Sequence, residues 1–436
     1  MRKMKDSGVE WIGEIPVDWK LSKIGSVYDE RNEKVSDKDF APLSVTKQGI
    51  VPQLETAAKT DNGDNRKLIR KDDFVINSRS DRRGSCGISE YEGSCSLINT
   101  VLKPQTNMCN RYYGFVFKSD GFADEYYRWG HGIVDDLWST KWIDMKSIYI
   151  PAPDIIEQER LADYLDSKCS KIDEIIEKQQ AIIEKLKEYK LSTITEAVTS
   201  GLNQKREMKD SHVLSIGRIP TNWDVTKLKY LFGNGDDGLK IGPFGSAIKG
   251  KTLESGLYKI YNQAHLINND FSLNRHYVSE DTFNDLKAYE VKPGDVLFSM
   301  MGTIGKCQIM PKGYPKGIMD SHLLKARLNE KVIPEFFIYA YDKDFSNQVI
   351  QQLLYTSNGT IMNGLNSTIL KNVYIALPPL EEQEEIVEFL NKFTKNIDDR
   401  IGVKTKIVEK LQEYKKSLIY EVVTGKRRCS SCQTLM

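Results

Sequence analysis

Apolar residues recur at helical spacing through two long stretches of this chain. In residues 156–199 they include Ile172, Ile175, Ile176, Ile182, Ile183, Leu186, Tyr189, Ile194 and Val198. Ile175, Ile182 and Tyr189 stand seven apart, and so do Ile172, Gln179, Leu186 and Thr193. That spacing predicts a long helix with a heptad seam, widened by Ile176 and Ile183. Ile397, Ile401, Ile407, Val408, Leu411, Tyr414 and Leu418 repeat the pattern further on. Pro151 and Pro153 precede the first helix and Pro378 and Pro379 the second, where proline sets a start. Gly201 and Gly425 follow the two helices, where glycine ends one. A helix with one apolar stripe must bury it. The simplest partner for each is the other, paired antiparallel with a globular domain at each end.

Outside these helices the pattern changes to short β-rich runs punctuated by Gly, Asn and Asp. Residues 73–77, 97–102, 258–262, 295–299 and 322–328 read as strands. Stretches near 111–128 and 334–354 read as packing helices. The expected fold class is α+β: two globular mixed α/β domains separated by two long helices that pair as an antiparallel coiled coil, with a pseudo-two-fold internal repeat.

The repeat is visible in the letters. Residues 7–19, SGVEWIGEIPVDW, return 204 residues later as SHVLSIGRIPTNW. Residues 149–199 open with YIPAPDIIEQERLADYL and close with EKLKEYKLSTITEAVT; 225 residues later, YIALPPLEEQEEIVEFL and EKLQEYKKSLIYEVVT match them without a gap. The variable stretches, about 20–148 and 224–373, resemble each other faintly. Asp73 to Arg79 sits where Asp295 to Met301 sits, and each precedes a Gly-rich stretch with a Cys. A period this long means tandem domains, not a solenoid. The boundaries read as a first domain with its opening motif over 1–148 and a long helix over 149–205. A second domain over 206–373, a second long helix over 374–425 and a flexible tail over 426–436 complete the plan.

Length and charge narrow the class. At 436 residues the chain has room for about two or three domains. With 62 Lys and Arg against 61 Asp and Glu, its net charge of +1 argues against a bulk polycation that coats nucleic acid or membranes. The balance is partly a cancellation. Residues 154–200 carry 7 basic and 11 acidic side chains and residues 380–425 carry 8 and 10, so the basic excess lies elsewhere. No apolar run approaches the roughly 20 residues of a membrane span, and the first residues lack the apolar core of a signal peptide. Seven irregularly spaced Cys suggest a reducing compartment. No membrane association and a cytoplasmic location are expected.

Candidate chemistry is sparse. Gly245 to Thr252 fits the spacing of a phosphate-binding loop, but Gly242 and Pro243 interrupt what should be a buried strand before it. Cys429 and Cys432 form half of a zinc site at most, with no second pair nearby. No nucleophile–base pairing and no metal set can be read, so the expectation is no catalytic centre, no metal and no cofactor in this chain. Several loops do carry side chains suited to phosphates and base edges: Lys47 and Gln48; Arg79, Arg82 and Arg83; Lys240 to Lys249; and Asn262 and Gln263. Each alone is ordinary on a solvated loop.

The doubled opening motif, the Gly242-Pro-Phe-Gly-Ser246 loop with Lys249, and the doubled Glu157-Gln158-Glu159 and Glu382-Gln383-Glu384 helix openings resemble the specificity subunit of type I restriction–modification systems. The resemblance covers nearly the whole chain, to about residue 425. It implies two target recognition domains, each reading half of a bipartite double-stranded DNA sequence, and paired helices acting as a ruler for the spacer. About 44 residues at roughly 1.5 Å each reach at most ~66 Å, about two turns of B-DNA. The resemblance also implies that the helices dock modification subunits, which bring S-adenosylmethionine and methylate adenine. Restriction subunits add ATP- and magnesium-dependent translocation and cleavage. The chain itself would be a non-catalytic subunit of the methyltransferase and deoxyribonuclease complex.

For site residues the resemblance gives Lys240, Phe244, Ser246 and Lys249 a place near DNA. The first domain lacks that loop and carries Ser44 to Gly49 and Arg79, Arg82 and Arg83 instead. Helix pairing or partner docking is expected of Ile172, Ile175, Ile182, Leu186 and Tyr189, and of Ile397, Ile401, Ile407, Leu411 and Tyr414. Two other readings compete: a specificity partner of a different restriction type, and a coiled-coil assembly scaffold with no DNA role.

Overall fold

The computed structural model describes residues 2–54, 63–79, 82–132, 138–203, 205–235, 238–273, 276–300, 305–342, 344, 348–356, 365 and 367–428. Cys429 and Cys432, and part of the Gly-rich stretch after Met301, lie outside these residues. The chain divides into two compact units, residues 1–180 with 405–436 and residues 181–404.

In the first unit an antiparallel sheet runs Cys86–Ile88, Phe74–Asn77, Asn99–Pro104, Tyr28–Glu30. A second sheet joins Gly93–Cys95, Arg66–Ile69 and Lys34–Val35, and a hairpin pairs Leu43–Thr46 with Gly49–Pro52. Helices Asn110–Lys118 and Asp120–Arg128 replace the single helix expected near 111–128. Ser119 breaks it, because its side chain accepts the Phe122 N–H and caps the second helix. Tyr28, Phe74, Phe117 and Phe122 are fully buried together in the core.

The second unit repeats the scheme with additions. Lys240–Ile241, Leu323–Arg327, Asp295–Ser299 and Cys307–Ile309 form an antiparallel sheet. A further sheet orders Tyr277–Val278, Tyr258–Tyr261, Gly317–Met319 and Glu290–Val291, its middle pair parallel. Helix 334–354 is likewise two, Pro334–Tyr341 and Gln348–Thr356. The faint repeat is structural. Asp73 and Asp295 are both buried, each accepts the N–H three residues earlier (Arg70 and Lys292, both 2.8 Å), and each holds an arginine, Arg31 at 2.6 Å and Arg327 at 2.9 Å.

The long helices span Ile155–Ser200 and Leu380–Val423, each contributing to both units. In the first unit the start of the first helix meets the end of the second at Trp19, against which Gly425 packs. Further along, Lys415 pairs with Asp173 at 2.6 Å, so the two run antiparallel. In the second unit the end of the first helix meets the start of the second at Trp223, and Lys190 pairs with Asp398 at 2.7 Å. Ile172 and Ile397 are buried in the seam, with Ile176 and Val408; Leu186, Ile401 and Leu411 are half-buried. Ile175, Ile182 and Tyr189, with Ile407 and Tyr414, are exposed. The seam runs through positions 172, 176, 179, 183, 186 and 190, so the row that starts at 175 is turned about 100° away from the row at 176. Among the described residues no helix is long and apolar enough to cross a membrane, and no cluster of His, Cys, Asp and Glu could hold a metal.

Candidate nucleic-acid interface

Each unit is closed by the same clasp, assembled from the repeated motifs. In the first, Trp19 Nε1 donates to Glu157 at 2.8 Å, and Arg2 donates to the same carboxylate at 2.7 Å. In the second, Trp223 Nε1 donates to Glu382 at 3.0 Å, and Arg206 pairs with Glu382. Both indoles are fully buried, so the carboxylate satisfies an N–H that water cannot reach. The adjacent glutamine finishes the joint. Gln158 accepts the Cys109 N–H at 2.9 Å and donates to Pro153 O at 2.8 Å. Gln383 accepts the Ile333 N–H at 2.8 Å and donates to Pro378 O at 2.9 Å. Cys109 and Ile333 are the residues just before helices Asn110–Lys118 and Pro334–Tyr341. The glutamine thus fixes the domain's packing helix to the start of the long one.

The candidate contact residues sit on loops carried by this frame. In the first unit, Lys47 and Gln48 are exposed at the tip of the 43–52 hairpin, whose turn is tied by Thr46 Oγ1 donating to Gly49 O at 2.9 Å. The hairpin lies on the Cys86–Ile88 strand, where a Cβ on Gly87 would stand 3.0 Å from Gly49 Cα. Arg79, Arg82 and Arg83 are exposed on the turn between the Phe74–Asn77 and Cys86–Ile88 strands. Arg83 pairs with Asp124. The two loop sets thus share one strand pair, but the hairpin packs on the face that Gly87 presents, whereas Arg83 reaches the helices on the other face, where Cys86 meets Phe117.

In the second unit the Gly242–Ser246 loop is pinned from beneath. Gly242 N donates to Leu323 O at 2.9 Å, and a Cβ there would collide with the Asp320 carbonyl oxygen, which makes glycine obligatory. Pro243 is buried, Phe244 is 87 % exposed, and Ser246 and Lys249 are exposed. Gly245–Ile248 is a single helical turn, and the chain after Gly250 is not helical, unlike a phosphate-binding loop, in which a helix follows the Gly-Lys-Thr. Asn262 and Gln263 reach the same place. They follow strand Tyr258–Tyr261, and Asp320 N donates to Tyr261 O at 2.9 Å, so one aspartate's backbone supports both loops. Asn262 Oδ1 is used locally, accepting the Ala264 N–H at 3.1 Å as a helix cap, and Gln263 accepts from Ser299 at 3.4 Å. Lys240 lies lower, paired in register with Lys325.

Asp320 and His322 were not evident from the letters. They follow an apolar strand as an Asp-Ser-His run, a signal no stronger than many surface loops give. Burial pushes the Asp320 carboxyl above its usual range, while His322 N donates to it at 2.9 Å. Burial pushes the nearby His265 below its usual value, and its ring bonds Asn262 and Leu273 O. Cys86 and Cys95 are pushed up to about 12 by burial, so both are protonated core thiols.

Comparison with known proteins matches this layout. The family model described as type I restriction modification DNA specificity domain matches residues 239–410. The MjaVIII specificity subunit of Methanocaldococcus jannaschii is 28 % identical over 294 residues, 65 % of this chain and 63 % of that one. The EcoKI specificity subunit of Escherichia coli K12 is 22 % identical over 330 residues, 73 % of this chain and 67 % of that one. The first of these relatives is thus matched over less than two thirds of its length. A chain from a solved structure concerned with complex assembly and conformational transition of the type I R-M system shares the fold, with a TM-score of 0.68 at 14 % identity, covering 95 % of this chain and 99 % of that one. A doubled chain with the same clasp at both helix ends is thus similar in fold to a type I restriction–modification chain and, over 65 % and 73 % of its sequence, to specificity subunits of type I restriction enzymes.

Proposed function

We propose that this chain reads DNA sequence for a type I restriction–modification complex and catalyses nothing by itself. Each variable domain, within residues 1–148 and 206–373, reads one half of a bipartite double-stranded target. One observation carries the reading: the parts the two units share are buried joints, whereas the loops in which they differ carry Lys, Arg, Asn and Gln side chains that are exposed or half-buried. Two units that perform one task on different ligands divide in this way. Lys47, Gln48, Arg79, Arg82 and Arg83 serve one half-site, and Lys240, Ser246, Lys249, Asn262 and Gln263 the other. Phosphate contacts set register and base-edge contacts set sequence, each good base contact worth about 1–3 kcal/mol. Joining two weak readers multiplies their effective concentration, so the chain needs no strongly basic surface.

The helices supply spacing and docking. Ile182 with Tyr189, and Ile407 with Tyr414, are exposed apolar pairs at equivalent places on the two helices. Two equal patches suit two copies of one partner, the modification subunit, which would carry S-adenosylmethionine. Restriction subunits would bring ATP and magnesium.

The test is long-read mapping of methylated adenines in a host expressing this chain with its modification subunit. The expected result is one bipartite motif with a fixed spacer. Inserting four residues into one long helix should change the spacer and leave the half-site bases unchanged. Random or absent methylation, with the complex intact, would favour the scaffold reading.

A further inference from the structure

Phe244 is an aromatic ring held in water by a backbone that cannot yield. Its neighbours fix it from both sides. Gly242 is trapped over the Asp320 carbonyl and bonded to Leu323 O, and Pro243 is buried with its φ set by its ring. Behind it, Ala247 N donates to Phe244 O at 2.8 Å and Lys249 N to Gly245 O at 3.0 Å, closing a helical turn. Ile248 anchors that turn against the cluster of Ile260, Val278, Phe283 and Ile318. An exposed ring on a loose loop would fold back onto apolar surface. This one is 87 % exposed on a loop fastened at three points.

The surroundings indicate the occupant. Lys249 and Lys251 are exposed where the helical turn that begins at Gly245 ends, and Ser246 stands within that turn. Lone exposed apolar residues are common, but a rigid aromatic tip on a loop that continues into exposed cations matches what an apolar wedge in DNA requires. The cations would hold neighbouring phosphates while the ring enters between adjacent base pairs. Among the described residues the first unit's loops at 44–49 and 79–83 carry Arg and Lys and no aromatic ring.

Resting on the DNA-reading function proposed above, we infer that Phe244 is a wedge that inserts at one base step of the half-site read by the second unit, and that it selects for a step that unstacks easily. Pyrimidine–purine steps open at least expense, so the ring adds preference at a position where no hydrogen bond is made.

The test uses the full chain in complex with its modification subunits, and a duplex carrying the motif found by methylation mapping. 2-Aminopurine replaces each base in turn across the half-site. The wild-type complex should brighten the probe several-fold at one step other than the methylated adenine. Phe244→Ala should abolish that signal, lower affinity about 10- to 100-fold and relax selectivity at that step alone, with the thermal melt unchanged. Phe244→Trp should retain the signal. Brightening that persists in Phe244→Ala, unchanged affinity, or lost affinity without any Phe244-dependent signal would overturn the wedge and leave the DNA-reading function standing. A wild-type complex that prefers this duplex no more than a scrambled one would overturn both.

Discussion

The two ends of the long helices solve one problem with the same residues and a second with different ones. Trp19, Glu157 and Gln158 close the first unit as Trp223, Glu382 and Gln383 close the second. One turn away the likeness stops. Trp11 packs edge-on to Phe122 at 5.8 Å, and Tyr420 donates to Trp11 O at 3.2 Å. The equivalent positions in the second unit are Ser215 and Thr195, whose buried hydroxyls have no hydrogen-bond partner among the described residues. The clasp holds a variable domain on a helix and tolerates no substitute, because a buried indole N–H and a buried backbone N–H both depend on it. The neighbouring layer only fills space, and it can be filled by large rings or small hydroxyls.

If that division is right, clasp substitutions should harm both units equally. Trp19→Ala and Trp223→Ala should each cost about 3–5 kcal/mol of local stability, read as lost hydrogen-exchange protection in the unit that carries the change. A large loss at one end and a small loss at the other would break the equivalence. Gln158→Ala and Gln383→Ala each strand a backbone N–H and should cost about 1–3 kcal/mol by the same measurement. Tyr189→Ala and Tyr414→Ala lose, respectively, a ring contact with Phe393 and a hydrogen bond from Arg427, so each should cost about 0.5–1.5 kcal/mol of stability, yet weaken capture of the proposed modification subunit about tenfold, as a docking contact would.

The smallest effect separates the units. His265 is buried in the second, and the first has only the exposed His131. Its folded pKa lies below the unfolded value of about 6.5, so the stability it contributes is full above that pH and is lost as pH falls through the folded value. The second unit alone should weaken by under about 1 kcal/mol between pH 7 and 5.5. His265→Gln should flatten that slope. The raised carboxyl of Asp320 works in the opposite sense at lower pH.

Elements governed by local periodicity were legible in the letters. Strands 295–299 and 258–261 and both long helices fall where spacing puts them. The clasp was not legible, although Trp19, Glu157 and Gln158, like Trp223, Glu382 and Gln383, stand in repeated motifs. Trp19 and Glu157 lie 138 residues apart, and nothing in a single sequence says which buried donor meets which acceptor. Of the two heptad rows, the one through 172, 179 and 186 lies in the seam, with 176 and 183 beside it, while the row at 175, 182 and 189 lies outside, because Ile175 and Ile176, like Ile182 and Ile183, are adjacent apolar pairs and only the partner decides which faces inward. At the candidate interface, residue type marked the loops, while the backbone under Gly242 and the cap made by Asn262 needed coordinates.

The bridges along the seam have an evolutionary consequence. Asp173 and Asp398 are the same position in the two copies, as are Lys190 and Lys415, so Asp173–Lys415 and Lys190–Asp398 are one contact written twice. The seam is its own complement, in the manner of a two-fold interface. A duplication of the ancestral helix would have arrived already matched, with no search for a partner. Drift is then taxed unevenly. Off the seam some positions have parted, Ile175 against Arg400 and Lys178 against Val403, and others have not, Ile182 with Ile407 and Tyr189 with Tyr414, whereas in the seam Ile172 with Ile397 and Leu186 with Leu411 have kept their letters. The pairing preserves a memory of the duplication that the proposed reading loops no longer show.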